Sequence, residues 1–325
     1  MIISKTPLRI SFVGGGSDII RKQQKKPGSV ISTTINKYIY VFVNQKNDKQ
    51  IRISYSKTEN VKNTNEIKHP IIKACLNFFK IRNSIEIITV ADIPSKGSGL
   101  GSSSTLTVGV LNALKEYTGR HISKYDLAKI AYQIESSVLK KTLGYQDHFN
   151  AAYGGFNCFK FYKNHKIEKK NLNLSKKKIL NFKKYLILFN TEKYRLADKI
   201  LKKIPKEKNN NYLDQLSSFT NTFYKYLAVE DYKKIGEIID RNWNIKKKLD
   251  KSVTNNLINK IYDTAKKNGA MTGKILGAGG GGYFLVFAHP KFRIKIIQAL
   301  KKYQQVDFNF TKEGSKIIYN DTKKK

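Results

Sequence analysis

Pro94-Ser95-Lys96-Gly97-Ser98-Gly99-Leu100-Gly101-Ser102-Ser103-Ser104 is the stretch whose reading decides the fold. Glycines at alternate positions let the backbone enter conformations closed to other residues and let main-chain N–H groups approach an anion closely. Upstream, Ile85-Glu-Ile-Ile-Thr-Val90 reads as a strand; downstream, Leu106, Val110, Leu114 and Tyr117 lie on one stripe of a helix beginning near Ser103. The three serines therefore fall at a helix N-terminus. Unpaired N–H groups and the positive end of the helix dipole favour phosphate there, and a hydroxyl can also reach a metal. The loop is not a Walker A sequence, because G-x-x-x-x-G-K-[ST] is missing and Gly273-Lys274 is followed by Ile275. The dinucleotide fingerprint fails as well, its third glycine falling one position later. Taken alone, the loop also fits a flexible turn that caps a helix.

Working outward, short apolar runs at Ile2-Ile3 and 8–13, alternation over 29–43 and again over 51–55, make the first part of the chain sheet-rich, with a helix expected over 70–79. A second amphipathic helix over 125–139 sets Leu127, Ile130, Ile134 and Val138 on one face. After a strand over 156–161, the Lys- and Asn-rich segment 163–178 marks the domain boundary. Beyond it come an apolar run at 185–189, helices over 213–228, 232–248 and 253–268, a strand over 283–287, a helix over 290–303 and a strand over 306–310. With 325 residues and roughly 150 per domain, two α+β domains are expected, 1–178 and 179–325.

Composition removes several classes of function. At 40% hydrophobic residues the chain can bury two cores, so global disorder is excluded. No apolar run reaches 18 residues, and the N-terminus lacks the layout of a secretory signal, so a cytoplasmic protein with no membrane partner is expected. Cys75 and Cys158 stand far apart, which builds neither a disulfide framework nor a thiolate zinc site. The charge is +38, from 62 Lys+Arg against 24 Asp+Glu. Such a surplus attracts polyanions. Yet the lysines lie in short scattered runs, Lys246-Lys247-Lys248 among them, and travel with abundant Asn, Ile, Tyr and Phe. They read as solvated surface rather than a nucleic-acid face.

Two more glycine-rich segments complete a pattern. Thr6-Pro-Leu-Arg9-Ile-Ser-Phe-Val-Gly14-Gly15-Gly16-Ser17-Asp18 is a strand carrying one arginine into a glycine turn and an aspartate, able to bring backbone and carboxylate to a polyol. Lys274-Ile-Leu-Gly277-Ala-Gly279-Gly280-Gly281-Gly282 spends much backbone entropy, which implies a close main-chain approach. In this order, Pro-x-Arg…Gly…Asp, Pro-x-x-Gly-x-Gly-Leu-Gly-Ser-Ser and Lys-x-x-Gly-Ala-Gly-Gly-Gly-Gly resemble the three signature motifs of the GHMP kinases. The resemblance runs from Thr6 to about Phe287. Gly14-Gly15-Gly16 replaces the Gly-Glu-His of galactokinases and mevalonate kinases. With Gly144-Tyr-Gln146-Asp147-His148 and the following residues to Gly155, it brings the chain nearest to the D-glycero-D-manno-heptose 7-phosphate kinase branch.

The resemblance implies an N-terminal domain of ribosomal-protein-like α/β fold and a ferredoxin-like C-terminal α+β domain. It implies ATP as phosphoryl donor, Mg²⁺, and a sugar phosphate as the small-molecule partner, phosphorylated on its anomeric hydroxyl to a 1,7-bisphosphate for surface-polysaccharide synthesis. Gly97, Ser98, Gly99, Leu100, Gly101, Ser102, Ser103 and Ser104 would hold the ATP phosphates, with Ser103 and Glu135 on the metal. Asp147 takes the place of the catalytic base and Arg9 that of the basic residue beside it. Gly15, Gly16, Ser17, Asp18, Gly279 and Gly280 fall on the acceptor side, and Lys193 and Arg195 are assigned to the 7-phosphate. His148 stands where a Gln is expected and reads as an ordinary surface or core histidine. A kinase for a fucose- or galactose-like sugar is the alternative within the class, and a basic nucleic-acid-binding module the alternative outside it. A homodimer is compatible with the sequence.

Overall fold

The structure, a computed structural model, describes residues 1–21, 23–94, 97–172, 174–193, 197–204 and 207–321. Two long strands open it, β1 (Ile2–Val13) and β2 (Gly28–Gln45), paired antiparallel along most of their length. Their register slips at Pro7/Leu8, where proline has no N–H for the ladder, and again between Ser11 and Val13. β3 (Ile51–Ser54), β4 (Thr58–Val61), α1 (Pro70–Phe79) and β5 (Ile85–Ala91) follow. β5 lies antiparallel on one end of β2 and parallel to β3. α2 (Ser102–Tyr117) packs on β1 and β2, and α3 (Lys124–Gln133) and α4 (Gln146–Tyr153) pack beside it.

β6 (Phe156–Phe161) adds to the other end of β2 and forms a hairpin with β7 (Ile167–Asn171). The segment expected as a boundary, 163–178, is thus structured: it holds β7 and the start of α5 (Lys176–Lys184). Its polarity comes from β7 being an edge strand in which only Ile167 is buried. The second half supplies β8 (Leu186–Asn190), α6 (Ala197–Leu201), α7 (Asn210–Ala228), α8 (Tyr232–Leu249), α9 (Asn256–Lys267), β9 (Ala270–Ile275), β10 (Tyr283–Ala288) and α10 (Arg293–Ala299). Then come β11 (Gln304–Gln305), β12 (Phe310–Thr311) and β13 (Lys316–Asn320). A second, antiparallel sheet runs β11-β8-β10-β9, with α8 and α9 packed against β9.

The end of the chain departs from expectation. The helix expected over 290–303 is a 3₁₀ turn plus the shorter α10, and the strand expected over 306–310 is replaced by two short ones. Pairing across space decides this: β11 joins β8, whereas β12 and β13 return to the first sheet, on β2 and β1. The two sheets are therefore not two consecutive stretches of chain. One apolar core also runs between them, with Phe12 stacked on Phe223 at 5.8 Å and edge-on to Phe182 at 5.0 Å. Polar ties add to it. Lys274 Nζ on β9 donates to the carbonyls of Ser11 and Phe12 at 3.0 and 2.8 Å, and Gly14 N–H donates to Asn242 Oδ1 at 2.9 Å. Burial, with the Lys246 and Arg9 charges nearby, holds the Lys274 ammonium well below its ordinary pKa.

The two glycine loops meet where the halves join. A Cβ on Gly99 would lie 2.4 Å from the Leu276 carbonyl oxygen, and one on Gly277 would lie 2.6 Å from Gly99 Cα; both have positive φ. Tyr283 N–H donates to Ser98 O at 3.1 Å across the same contact. Gly277→Ala therefore combines left-handed strain with overlap against immobile backbone, for an expected loss of about 3 kcal/mol or more. Gly119 also has positive φ but nothing within 4 Å, so Gly119→Ala should cost only about 1 kcal/mol. Urea unfolding of both variants checks this, and equal midpoints would refute the backbone contact.

Candidate active site

α2 begins at Gly101, which has φ 81° and offers no side chain to its first N–H groups. The amides of the first turn thus stay available to an anion. Leu100 is wholly buried and anchors the loop from below. Ser98 Oγ and Ser102 Oγ lie 2.6 Å apart, and Leu100 N–H donates to Ser98 Oγ at 3.2 Å, so these two hydroxyls are engaged in shaping the loop. Ser102 and Ser104 are buried and Ser103 is exposed.

Under the loop lies a fork-to-fork ion pair. Arg9 donates from Nε and Nη2 to the two oxygens of Asp147 at 2.7 and 2.8 Å, and from Nη1 to Gly99 O. Arg9 N–H also donates to Leu100 O at 3.1 Å. The arginine side chain is 4% exposed, that of Asp147 24%, so the carboxylate is the partner more open to solvent. Gly101 rests on both, its absent Cβ 3.4 Å from Arg9 Cγ and from Asp147 Cγ. Asp147 sits in the first turn of α4, where the helix dipole favours an anion. The sequence reading did not foresee α4, an eight-residue helix with its polar start inside the molecule.

Glu135 gathers a second cluster. The helix expected over 125–139 ends as α at Gln133 and continues as a π turn, Ile134–Val138. That turn swings Val138 out to 63% exposure and Glu135 into the interior, reversing the expected stripe at Val138. Glu135 accepts from Ser103 Oγ, from Ser104 Oγ at 2.9 Å, from Lys141 Nζ at 2.8 Å and from His148 Nε2 at 3.0 Å. Burial pushes its pKa up, but His148 and Lys141 outweigh burial and bring it down to about 2. An ionised carboxylate only accepts, so Nε2 carries the His148 proton, and buried Nδ1 is left with no partner among the described residues. Lys141 Nζ also donates to Ser103 Oγ at 3.1 Å. An ionised carboxylate beside an exposed hydroxyl is a hard-oxygen donor set of the kind Mg²⁺ takes, and Mg²⁺ needs only one or two protein ligands. Sequence reasoning missed Lys141 and the part His148 plays, because no spacing along the chain links either to Glu135.

On the acceptor side, Ser17 Oγ donates to the carbonyls of Gly14 and Ser29 and accepts from Ser29 N–H, so its hydroxyl is fully used by backbone. Asp18 is buried and accepts from Gly16 N–H, Gln146 N–H and Gln146 Nε2 at 2.9, 3.3 and 3.2 Å, which caps α4 from outside and ties it to the 14–16 turn. Burial, with Asp147 nearby, raises its pKa against the pull of those backbone N–H groups. Gly279 and Gly280 lie against Val253, Gly280 N–H donating to Val253 O at 2.9 Å. Lys193 is exposed and its carbonyl accepts from Gly282 N–H at 2.6 Å, which keeps it beside the third loop. Arg195 lies outside the described residues. The run Lys246-Lys247-Lys248 is not all solvated: Lys246 is 4% exposed, turned inward on α8.

Two outcomes follow from these buried charges. His148→Leu leaves a Glu135 oxygen short of a donor and should lower stability by about 2 kcal/mol, read as a lower urea midpoint at unchanged slope; an unmoved midpoint would refute the pair's contribution. Burial, then Arg9, lowers Lys246 from 10.5 to about 8, against the pull of Asp18 and Asp147. Between those two values the unfolded chain binds more protons, so this residue's contribution to stability rises with pH, by about 3 kcal/mol across the window. The gap between wild type and Lys246→Met should change by that amount from pH 8 to 10.5, and a pH-independent gap would contradict the burial.

Comparison with known proteins identifies the fold. The family model for the GHMP kinases N-terminal domain matches residues 67–155, and that for the GHMP kinases C-terminal domain matches 223–305. The D-glycero-alpha-D-manno-heptose 7-phosphate kinase of Campylobacter jejuni is 34% identical, over 97% of this chain and 98% of the relative. A mevalonate kinase of Saccharolobus solfataricus is 26% identical over 97% and 98% of the two chains. Among solved structures, a D-glycero-D-manno-heptose 1-phosphate kinase from Bacteroides thetaiotaomicron superposes with a TM-score of 0.82 at 24% identity, covering 98% of this chain and all of that one. Matches to both domains in order, with the first of these relatives similar along nearly the whole chain, establish that this protein belongs to the GHMP kinase family, ATP-dependent phosphotransferases of two-domain α+β fold.

Proposed function

We propose that this kinase transfers the γ-phosphoryl group of ATP to the anomeric hydroxyl of D-glycero-D-manno-heptose 7-phosphate, giving the 1,7-bisphosphate, in the cytoplasmic supply of activated heptose for surface polysaccharide. The observation that carries the chemistry is the Arg9–Asp147 pair lying directly against Gly101, at the open start of α2. A phosphoryl group held by those amides is next to a carboxylate able to take a hydroxyl proton. The choice of sugar is supported by the similarity to the Campylobacter jejuni heptose 7-phosphate kinase.

In this reading Asp147 accepts the proton of the attacking hydroxyl, while Arg9 fixes both carboxylate oxygens and places positive charge beside the transferring group. Gly97 to Ser104 embrace the phosphates. Ser103 and Glu135 would hold Mg²⁺, which supplies neutralisation of phosphate charge when bound. Lys193 and Arg195 meet the 7-phosphate from the second half of the chain. The division into a phosphate-loop unit up to about residue 178 and a second unit beyond it is part of the same proposal.

A coupled assay with Mg²⁺ and ATP over sugars and sugar phosphates, with product read by ³¹P NMR, tests it. Turnover should require the 7-phosphate and place the new phosphorus on C1; equal turnover of unphosphorylated galactose- or fucose-like sugars would overturn the assignment. Asp147→Asn should lower kcat by about a hundredfold or more with ATP binding kept. Near-normal turnover would remove Asp147 from the reaction. Arg195→Ala should raise KM for the sugar phosphate far more than for ATP, and equal effects on both would exclude it from the 7-phosphate.

A further inference from the structure

α8 carries three consecutive lysines with different fates. Lys247 lies over the rings of Trp243 and Tyr262, and Lys248 reaches Tyr212, with stems on the surface and heads toward water. Lys246 points into the molecule, where an ammonium is costly unless paired. Among the described residues it forms no salt bridge. The one hydrogen bond it makes among them goes to Gly277 O, leaving two of its three N–H groups unspent.

Those N–H groups lie at Gly15. A Cβ there would meet Ser11 Oγ at 3.3 Å, Gln146 Nε2 at 3.7 Å and Lys246 Nζ at 3.9 Å, so its three nearest neighbours are polar side-chain tips. Other groups around the same turn are also unspent. Among the described residues Gln146 Oε1 is buried without a partner, and so is Nδ2 of Asn242, one helical turn before Lys246 on α8, whose Oδ1 holds Gly14 N–H. Donors and an acceptor thus surround a position without a side chain. The charged groups facing Lys246 are Arg9 on β1, Asp18 in the turn, Asp147 on α4 and Lys274 on β9, so the cradle adjoins the reactive carboxylate. A phosphate there would face Asp18 and the Gln146 oxygen. Neutral hydroxyls, which both donate and accept, suit the set better.

We propose that Lys246 is an acceptor-binding residue, its ammonium donating to a ring hydroxyl of the sugar that rests on Gly15, with Gln146 Oε1 accepting from a neighbouring hydroxyl. The inference deepens the sugar-kinase reading and rests on it. It adds to the acceptor site a determinant from the second half of the chain, so acceptor recognition needs both halves in register.

The test is steady-state kinetics on Lys246→Met and Gly15→Ala with D-glycero-D-manno-heptose 7-phosphate and ATP varied in turn, plus calorimetric titration with ADP. Gly15 has no positive φ and no neighbour nearer than 3.3 Å, so alanine fills the cradle without backbone strain and leaves the Lys246–Gly277 bond alone. Both variants should raise KM for the sugar roughly tenfold or more while KM for ATP and ADP affinity stay within about twofold. Sugar KM unchanged in both variants would overturn the proposal. A parallel rise in both KM values for Lys246→Met, with Gly15→Ala like wild type, would overturn it too, making Lys246 a strut for the third glycine loop. If wild type binds ADP yet phosphorylates no sugar, the kinase reading fails and takes this inference with it; if wild type turns the sugar over and both variants match it, only this inference fails.

Discussion

At Gly99 and Gly277 the two halves of the chain touch backbone to backbone, closer than any side chain would allow. The amides of α2, the carbonyls that receive Arg9 and the arginine's grip on Asp147 all take their positions from the loop held in that contact. Tyr283 N–H on Ser98 O extends it to the end of the third glycine loop. Glycine is required at such points because a Cβ would coincide with main-chain atoms that have no rotamer to escape into. Of the four consecutive glycines that look extravagant in the sequence, Gly282 lies against Ser98 and Gly97 of the first loop, while Gly279 and Gly280 lie against Val253 and Gly281 against Lys193.

The interior around Arg9, Asp147 and Glu135 is organised by a small number of charges, distinct from the lysine-rich exterior. Arg9 and Asp147 satisfy each other in a planar two-bond pair, the geometry for which a guanidinium is suited. Glu135 is kept ionised by a buried histidine and a lysine, whereas Asp18 has only backbone and amide donors, and burial with Asp147 nearby still raises its pKa. Lys274 spends its ammonium on two carbonyls of β1 and so ties the second sheet to the strand that carries Arg9. Each buried charge is thereby matched to donors or acceptors from a different element, and the arrangement holds only when all those elements are docked.

Much of this was legible in advance and some was not, and the difference has a pattern. The helix over 102–117 and the strand before it could be read because their apolar spacing is local. The segment 163–178 hid β7 because an edge strand with solvated faces has the composition of a linker. The stripe through Ile134 misled because a π turn adds a residue to the helical repeat and moves Glu135 inward. The lysine run on α8 misled because composition counts charges without their direction, and one residue's rotation on a helix takes a side chain from water to interior.

By itself, then, the sequence determined the strand and helix on either side of the 97–104 glycine turn, since apolar periodicity acts over a few residues, while Arg9, Asp147, Ser103 and Glu135 were singled out by the resemblance of its motifs to those of the GHMP kinases. Only the tertiary structure decided that His148 and Lys141 flank Glu135, that Lys246 faces Gly15, and that the last strand returns to β1. Such pairings are set by how preformed elements dock, through buried area and matched charge, and a contact between distant residues leaves no period in the chain for a reader to count.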